Sequence, residues 1–250
     1  MTDKTPLDPG HFCWVDVAVA DPTKTHKFFA ELFGWSRRVR PTEDNQAYSI
    51  MTNHGEHVAG ICAVENAGPS QWMAYLLVSD LQQAESKVES LGGKVLRRGV
   101  EIPTFGILSV VEDPTGAVFA LWKTGRQEFR KPRQHGNVSW YELVSRDPDR
   151  AKQFYAELAG WELSETVYDG APFTIFEKNG KELAGLRAIK GEELPAWHIY
   201  FAVDDVDQTA ELCRSSGGTV VLPPFDVEGL GRCTMLKDPS GGYFGAFQYS

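Results

Sequence analysis

Alternating apolar and polar positions predict short strands along the chain, each followed by an amphipathic helix. The first such stretch, 12–20, places apolar residues at every second position, as a strand with one buried face does. The Asp21–Pro22 pair that follows is typical of a helix N-terminus, and Gly34 is typical of a helix C-terminus. The opening of the chain is therefore predicted to be a strand and then a helix.

A second unit of the same kind begins with a strand over 72–79. The helical pattern after it starts at Asp80, carries an apolar stripe and ends at the glycine pair 92–93. Short segments rich in β-forming residues follow the two helices, at 47–52, 58–64, 107–112 and 118–122. The predicted unit is β-α-β-β-β, and it occurs twice in the first half of the chain.

The second half of the chain repeats the first. The strings FFAELFGW and FYAELAGW occupy 28–35 and 154–161, an offset of 126 residues. Later landmarks keep an offset of 125, such as Trp72 with Trp197 and Asp113 with Asp238. A repeat of this length is near the usual size of a domain, so the chain is predicted to be two copies of one domain.

The boundaries follow from the composition between the copies. The stretch 124–137 carries Gly, Pro and clustered charge without periodicity, which is typical of a connector. We therefore expect a first domain over 8–124, a linker over 125–136 and a second domain over 137–250.

Composition narrows the function classes. A hydrophobic content of 42% with 24% charged residues is ordinary for a globular chain. A net charge of −9 argues against nucleic acid as a partner. No apolar run approaches the ~20 residues that span a bilayer, and the opening residues lack the apolar core of a signal peptide. The four cysteines form no CxxC pair, so free thiols and a cytoplasmic location are expected.

These motifs carry a family resemblance that covers nearly the whole chain. The motifs resemble those of the vicinal-oxygen-chelate (glyoxalase / bleomycin-resistance / dioxygenase) superfamily. They are the Asp that ends the first strand, the FYxxLxGW-like helix, the glycine pair after the second helix and the DPxG before the last strand. The tandem, with a Trp in each first strand, is similar to two-domain actinobacterial glyoxalase-like antigens of that superfamily. The resemblance implies an α+β fold in which each domain pairs two βαβββ units into a curved mixed-sheet cup with helices outside.

The resemblance also implies a divalent metal held at four cup-facing positions in each domain. Carried over by landmark, these positions hold Trp14, Gly60, Met73 and Ala120 in the first domain and Trp140, Gly185, His198 and Gly245 in the second. Catalytic zinc needs three protein ligands and non-haem iron needs two His and a carboxylate. Even with Glu142, which shares the face of Trp140, the ligand set is incomplete, so no cofactor is predicted. A divalent metal held by other residues stays open as an alternative.

Strand alternation then gives the residues that should line each cup. Ligand-binding residues of the first cup are expected to be Trp14, Asp16, Tyr75 and Trp122, with Cys62 and Met73 beside them. Those of the second are expected to be Trp140, Arg187, Tyr200 and Phe247, with Tyr243 beside them. The small residues at the metal positions are expected to enlarge the cavities, and aromatic walls with a few polar groups suit a small-molecule ligand.

Glu142 and His198 are the candidate catalytic residues, because a Glu–His pair can move a proton. Arg187 next to them suits a carboxylate or phosphate, but an internal Arg187–Glu142 salt bridge is an equal alternative. A lone His is more often structural than catalytic. Trp14 and Trp140 have the alternative of plugging the cups as core residues.

The leading hypothesis is a metal-independent protein that binds a small, partly hydrophobic molecule. One alternative is a glyoxalase-type lyase or isomerase that acts on a dicarbonyl adduct in the second domain. Another is a non-catalytic scaffold that acts through protein partners. No nucleic acid or membrane partner is expected, and the sequence allows a monomer or a homodimer.

Overall fold

A computed structural model describes residues 6–40, 48–65, 70–126, 133–168 and 170–250. Within these ranges the chain forms four helices and 16 strands. The first repeat contains β1 (Phe12–Val19), α1 (Pro22–Phe33), β2 (Ser36–Arg40), β3 (Tyr48–Asn53), β4 (Glu56–Ala63), β5 (Gln71–Leu77), α2 (Leu81–Ser90), β6 (Lys94–Ile102), β7 (Gly106–Glu112) and β8 (Val118–Thr124). The second contains β9 (Val138–Ser145), α3 (Pro148–Ala159), β10 (Glu162–Tyr168), β11 (Ala171–Lys178), β12 (Lys181–Ala188), β13 (Ala196–Ala202), α4 (Val206–Ser215), β14 (Thr219–Val227), β15 (Gly231–Lys237) and β16 (Tyr243–Tyr249).

The strands form two mixed sheets of eight, one from each repeat. Their orders are β2-β3-β4-β1-β5-β8-β7-β6 and β10-β11-β12-β9-β13-β16-β15-β14. In each βαβββ unit the first strand pairs in parallel with the fourth, and the last three strands pair antiparallel. The predicted fold class, a tandem of βαβββ pairs with helices, is confirmed. The linker expected over 125–136 lies partly outside the described residues.

Side-chain caps begin the helices where the sequence indicates. The carboxylate of Asp21 accepts from the backbone N–H groups of Thr23 and Lys24, and Asp147 caps α3 in the same way. Gly34 ends α1 with φ of 69°, a left-handed conformation that glycine adopts without strain. The capping and stop signals of the sequence therefore act as predicted.

The predicted β-α-β-β-β unit includes two strands of the first repeat that the alternation pattern did not locate. The strands β2 and β6 lie at the two edges of the first sheet, and β6 is exposed over most of its length. An edge strand with little buried surface needs no apolar alternation, so its sequence gives only a weak signal.

The chain folds into two compact units that do not follow the repeats. The α2–α3 unit comprises Met1–Trp14, Met73–Arg130 and Trp140–Trp197, and the α1–α4 unit comprises Val15–Trp72, Lys131–Ser139 and His198–Ser250. Within each unit the two helices contact each other. Each unit therefore takes one half of each repeat.

No helix among the described residues is long and apolar enough to cross a membrane.

A buried hydroxyl links three elements inside the α2–α3 unit. Tyr155 of α3 is fully buried, donates to Asp113 Oδ2 at 3.0 Å and accepts from Trp197 Nε1 at 2.9 Å. Burial raises the pKa of Tyr155 well above its ordinary value, and the nearby Asp113 charge raises it further. The Tyr155 hydroxyl thus gives both the Asp113 carboxylate and the Trp197 N–H a hydrogen-bond partner.

The α1–α4 unit lacks this hydroxyl. Phe29 stands in the position of Tyr155, and Trp72 and Asp238 stand in the positions of Trp197 and Asp113. Within the described part of the chain, Trp72 Nε1 and Asp238 Oδ2 are buried and make no hydrogen bond. Burial raises the pKa of Asp238 above its ordinary value. The ring geometry is similar in the two units, with centroid distances of 5.5 Å for Phe29–Trp72 and 5.2 Å for Tyr155–Trp197.

Restoring the hydroxyl should therefore stabilise the protein. We expect Phe29→Tyr to raise the free energy of unfolding by about 1–3 kcal/mol, because the new hydroxyl satisfies both buried atoms, and Tyr155→Phe to lower it by a similar amount. Urea denaturation measures both changes. Phe28→Tyr is the matched control, since Phe28 is also buried and a hydroxyl there should destabilise. A loss of stability in Phe29→Tyr as large as that of the control would contradict this account.

Candidate functional site

Four of the residues predicted to line the first cup, Trp14, Met73, Tyr75 and Trp122, pack together in the α2–α3 unit. Tyr75 of β5 and Trp122 of β8 are buried and meet edge to face, with ring centroids 6.2 Å apart. Trp14 packs against the cluster that they form and is partly buried. The cluster also contains Leu7, Cys13, Leu77, Val100, Phe105, Leu108, Val110 and Ala120. These side chains form an apolar cluster in which the rings of Tyr75 and Trp122 contact each other.

Asp16, the polar residue predicted for the first cup, lies in the α1–α4 unit. It is buried in β1, its backbone pairs in register with that of Gly60, and Tyr48 Oη donates to its Oδ2 at 3.3 Å. Tyr48 was not among the predicted site residues. Its counterpart at an offset of 125 is Phe173, and an aromatic residue kept at this position in both repeats was the signal that could have found it.

Aromatic rings occupy the space that the glycines were expected to leave open. A Cβ on Gly60 would overlap the Tyr48 phenol, and a Cβ on Gly185 would overlap the Phe173 ring. At Gly245 the overlap would be with the ring of Tyr200. The expectation that the small residues at these metal positions enlarge the cavities is wrong at the three glycines, because a ring from a neighbouring strand lies against each one.

The polar centre of the second repeat is an ion cluster in the α2–α3 unit. Arg187 Nε donates to Glu142 Oε1 at 2.9 Å, so the internal salt bridge weighed as an alternative is present. Glu193, which was not among the predicted site residues, accepts from Nη1 of Arg187 at 2.7 Å and from Nη2 at 2.8 Å. Burial alone lowers the pKa of Arg187, but the hydrogen bond to Glu193 and the charge of Glu142 outweigh it and hold the pKa above its ordinary value. Arg187 is therefore a permanently charged, firmly held group.

Trp140 lies beside this cluster. A Cβ on Gly185 would lie 3.3 Å from Trp140 Nε1, and Gly185 pairs in register with Glu142 across β12 and β9. Trp140 is half-buried. In the α2–α3 unit, the predicted residues of the second repeat thus form a face of one indole, one carboxylate and one guanidinium.

The remaining predicted residues of the second repeat lie in the α1–α4 unit. His198 is buried against Tyr243, with ring centroids 4.6 Å apart. Tyr200 is buried and its ring lies against Gly245. Phe247 is half-buried, and the centroid of its ring lies 4.5 Å from that of Tyr249. These side chains lie on the paired strands β13 and β16. Of the two candidate catalytic residues, Glu142 belongs to the α2–α3 unit and His198 to the α1–α4 unit.

The residues at the expected metal positions do not fit a metal ion. Three of those positions are glycines covered by aromatic rings, and tryptophan, methionine thioether and alanine stand at four others. Among the described residues, no group of three or more His, Cys, Asp or Glu side chains is arranged to hold a metal ion. His198 alone supplies a donor at these positions, which is fewer than the three ligands of a catalytic zinc site.

A cavity of about 390 Å³ lies elsewhere in the α1–α4 unit, between the end of α1 and the beginning of α4. Its lining consists of Glu31, Leu32, Phe33, Gly34, Asn53, His54, His135, Asp204, Asp205, Gln208, Thr209 and Leu212. This lining includes none of the residues predicted to bind a ligand. The cavity is therefore separate from the candidate site.

Comparison with known proteins matches both halves of the chain. The family model described as Glyoxalase/Bleomycin resistance protein/Dioxygenase superfamily matches residues 137–244, and the model described as Glyoxalase-like domain matches 14–122. CFP32 of Mycobacterium tuberculosis (strain CDC 1551 / Oshkosh), whose name assigns it provisionally to the glyoxylases, is 33% identical over 92% of each chain. The anthracycline biosynthesis protein DauV of Streptomyces sp. (strain C5) is 28% identical, covering 96% of this chain and 94% of DauV.

Solved structures share the fold at low sequence identity. The Mn(II)-bound glyoxalase from Novosphingobium aromaticivorans has a TM-score of 0.70 and 15% identity, covering 96% of this chain and 82% of that one. The 2,2',3-trihydroxybiphenyl 1,2-dioxygenase from Sphingomonas wittichii strain RW1 has a TM-score of 0.66 and 11% identity, covering 96% and 91%. At such identities the similarity concerns the fold alone.

The contact between Gly185 and Phe173 can be tested with a double-mutant cycle. We expect Gly185→Ala to lower the free energy of unfolding by about 1–3 kcal/mol, because the added methyl group overlaps the ring. Phe173→Leu alone gives the baseline cost of the smaller side chain. In the double variant part of the Gly185→Ala cost should disappear, with a coupling of at least about 0.5 kcal/mol. Strictly additive effects in chemical denaturation would show that the ring does not occupy this space.

Proposed function

The chain belongs to the glyoxalase/bleomycin resistance protein/dioxygenase superfamily, and from this premise we propose that it binds a small, partly hydrophobic molecule without a metal ion. The proposed binding residues of the first repeat are Trp14, Asp16, Tyr75 and Trp122. Those of the second are Trp140, Arg187, Tyr200 and Phe247, with Glu142 and His198 as its polar groups. Aromatic faces with few polar groups are the usual lining of small-molecule sites.

One observation carries the proposal. Three positions at which the resemblance implies metal ligands are glycines covered by Tyr48, Phe173 and Tyr200. At Gly185 and Gly245 apolar ring carbons lie where a donor side chain would begin, which favours dispersion and hydrophobic contact over coordination. At Gly60 the Tyr48 hydroxyl lies there and is hydrogen-bonded to Asp16. Since Trp140 and Phe247 are half-buried, ring surface of this kind is accessible in the second repeat.

A glyoxalase-type lyase or isomerase is the second candidate, and the name of CFP32 favours it. In that case Glu142 or His198 would act as the general acid or base toward a dicarbonyl–thiol adduct. His198→Ala would then abolish turnover of a methylglyoxal–thiol adduct while leaving the fold intact.

The hypothesis of a non-catalytic scaffold is supported only by the apolar cluster of the first repeat. In that cluster Tyr75 and Trp122 pack against each other as core residues do.

The proposal predicts binding of a neutral aromatic probe that chelation does not affect. We expect 2-naphthol to bind the purified protein in isothermal titration with the same dissociation constant in the presence and absence of excess EDTA. Phe247→Ala should weaken binding by about tenfold, the effect of losing roughly 1.4 kcal/mol of ring contact. Leu96→Ala is the control, because Leu96 is an exposed apolar residue of β6 outside the predicted lining.

The outcomes separate the hypotheses. Loss of binding in EDTA would contradict metal independence. Absence of binding would contradict the ligand-binding proposal and favour the scaffold. An equal effect of Leu96→Ala and Phe247→Ala would remove the assignment of the site.

A further inference from the structure

The guanidinium of Arg187 is almost fully used by the protein itself. Its Nε donates to Glu142, its Nη1 to Glu193 and to the backbone oxygen of Ala188, and its Nη2 to Glu193, which makes four hydrogen bonds. A guanidinium has five N–H donors. The pair of Nη groups of Arg187, here called the Arg187 fork, could otherwise bind a carboxylate or phosphate of a ligand. It is already bound by the carboxylate of Glu193.

Glu193 occupies the more accessible side of this group. The side chains of Glu142 and Arg187 are 12% and 18% exposed, whereas that of Glu193 is 28% exposed. Glu193 lies in the connection between β12 and β13, where the backbone N–H of Lys190 donates to its Oε2 at 2.8 Å. The local turn thus holds the carboxylate over the guanidinium in a bidentate arrangement.

We propose that Glu193 determines the ligand specificity of the second repeat, by occupying the Arg187 fork so that the site accepts neutral or cationic ligands and rejects carboxylates and phosphates. The inference rests on the proposed ligand binding. Glu193 acts through Arg187 and is a positioning residue.

Two physical effects support the exclusion of anions. An external carboxylate must displace Glu193, whose short connection to β12 gives it a high effective concentration at the guanidinium. The same anion also meets the like charges of Glu142 and Glu193, and like-charge contacts are a common means of rejecting a wrong ligand. A neutral or cationic ligand meets neither obstacle.

The first repeat has no counterpart of this fork. Cys62 stands in the position of Arg187, and Asp16 stands in the position of Glu142. In the first repeat this pair of positions therefore holds one acidic residue and no basic residue. The proposed role of Glu193 therefore concerns the second repeat alone.

Two probes of matched shape and opposite charge test the proposal. Phenethylamine and phenylacetate are titrated into the full-length protein at neutral pH and low salt, with binding followed by calorimetry and ligand-observed NMR. We expect the unmodified protein to bind phenethylamine at least about tenfold more tightly than phenylacetate. Glu193→Gln and Glu193→Ala should each raise the affinity for phenylacetate by about tenfold or more, because the fork becomes available to a second carboxylate.

The neighbouring residue supplies the matched control. Glu192 is exposed, so Glu192→Gln makes the same change of net charge without freeing the fork and should leave both affinities unchanged. In the double variant Glu193→Ala/Arg187→Gln the gain for phenylacetate should vanish, with circular dichroism confirming that the variant is folded.

The results distinguish the inference from the proposal beneath it. Binding of both probes without a charge preference, or an equal gain in Glu192→Gln and Glu193→Gln, would overturn the role of Glu193 and leave ligand binding standing. Failure of every variant to bind either probe would overturn the inference together with the proposed function.

Discussion

The candidate site depends on a steric constraint at three glycines. Gly60, Gly185 and Gly245 have no Cβ, and an aromatic ring lies against the backbone of each one. Any larger residue at these positions would push the ring away. Protein interiors are packed as tightly as organic crystals, so the glycine and the ring form one unit of packing. These are also positions at which the resemblance implies metal ligands. The same constraint therefore replaces a donor side chain by ring carbons at Gly185 and Gly245 and by the Tyr48 phenol at Gly60.

The two repeats share a frame but differ at the polar atoms inside it. Tyr155 satisfies two buried groups in the α2–α3 unit, whereas Phe29 leaves the equivalent atoms of Trp72 and Asp238 without hydrogen bonds in the described part of the α1–α4 unit. Arg187 gives the second repeat an ion cluster that Cys62 cannot provide in the first. Divergence after duplication has thus affected single hydroxyl and guanidinium groups, while caps, strands and sheet order were kept.

Local signals in the sequence predicted most of the fold. Alternation, the capping residues Asp21 and Asp147 and the stop at Gly34 each act through neighbours within a few residues, and the structure has them where the sequence indicates. The edge strand β6 was not located, because it buries too little surface to need an apolar pattern. The composition of the compact units was not predictable either, since each unit joins halves of different repeats that are distant in sequence.

The candidate site was predicted less completely than the fold. Strand alternation identified Arg187 and Glu142, which do contact each other, but it says nothing about Glu193, which lies in a connection outside any strand.

We propose that this chain retains the frame of the superfamily without its metal. Equilibrium dialysis of the untagged protein against Mn(II), followed by elemental analysis, tests it most directly. The account predicts a substoichiometric metal content that does not change the thermal midpoint. One tightly held ion per chain, removed only slowly by EDTA, would contradict it.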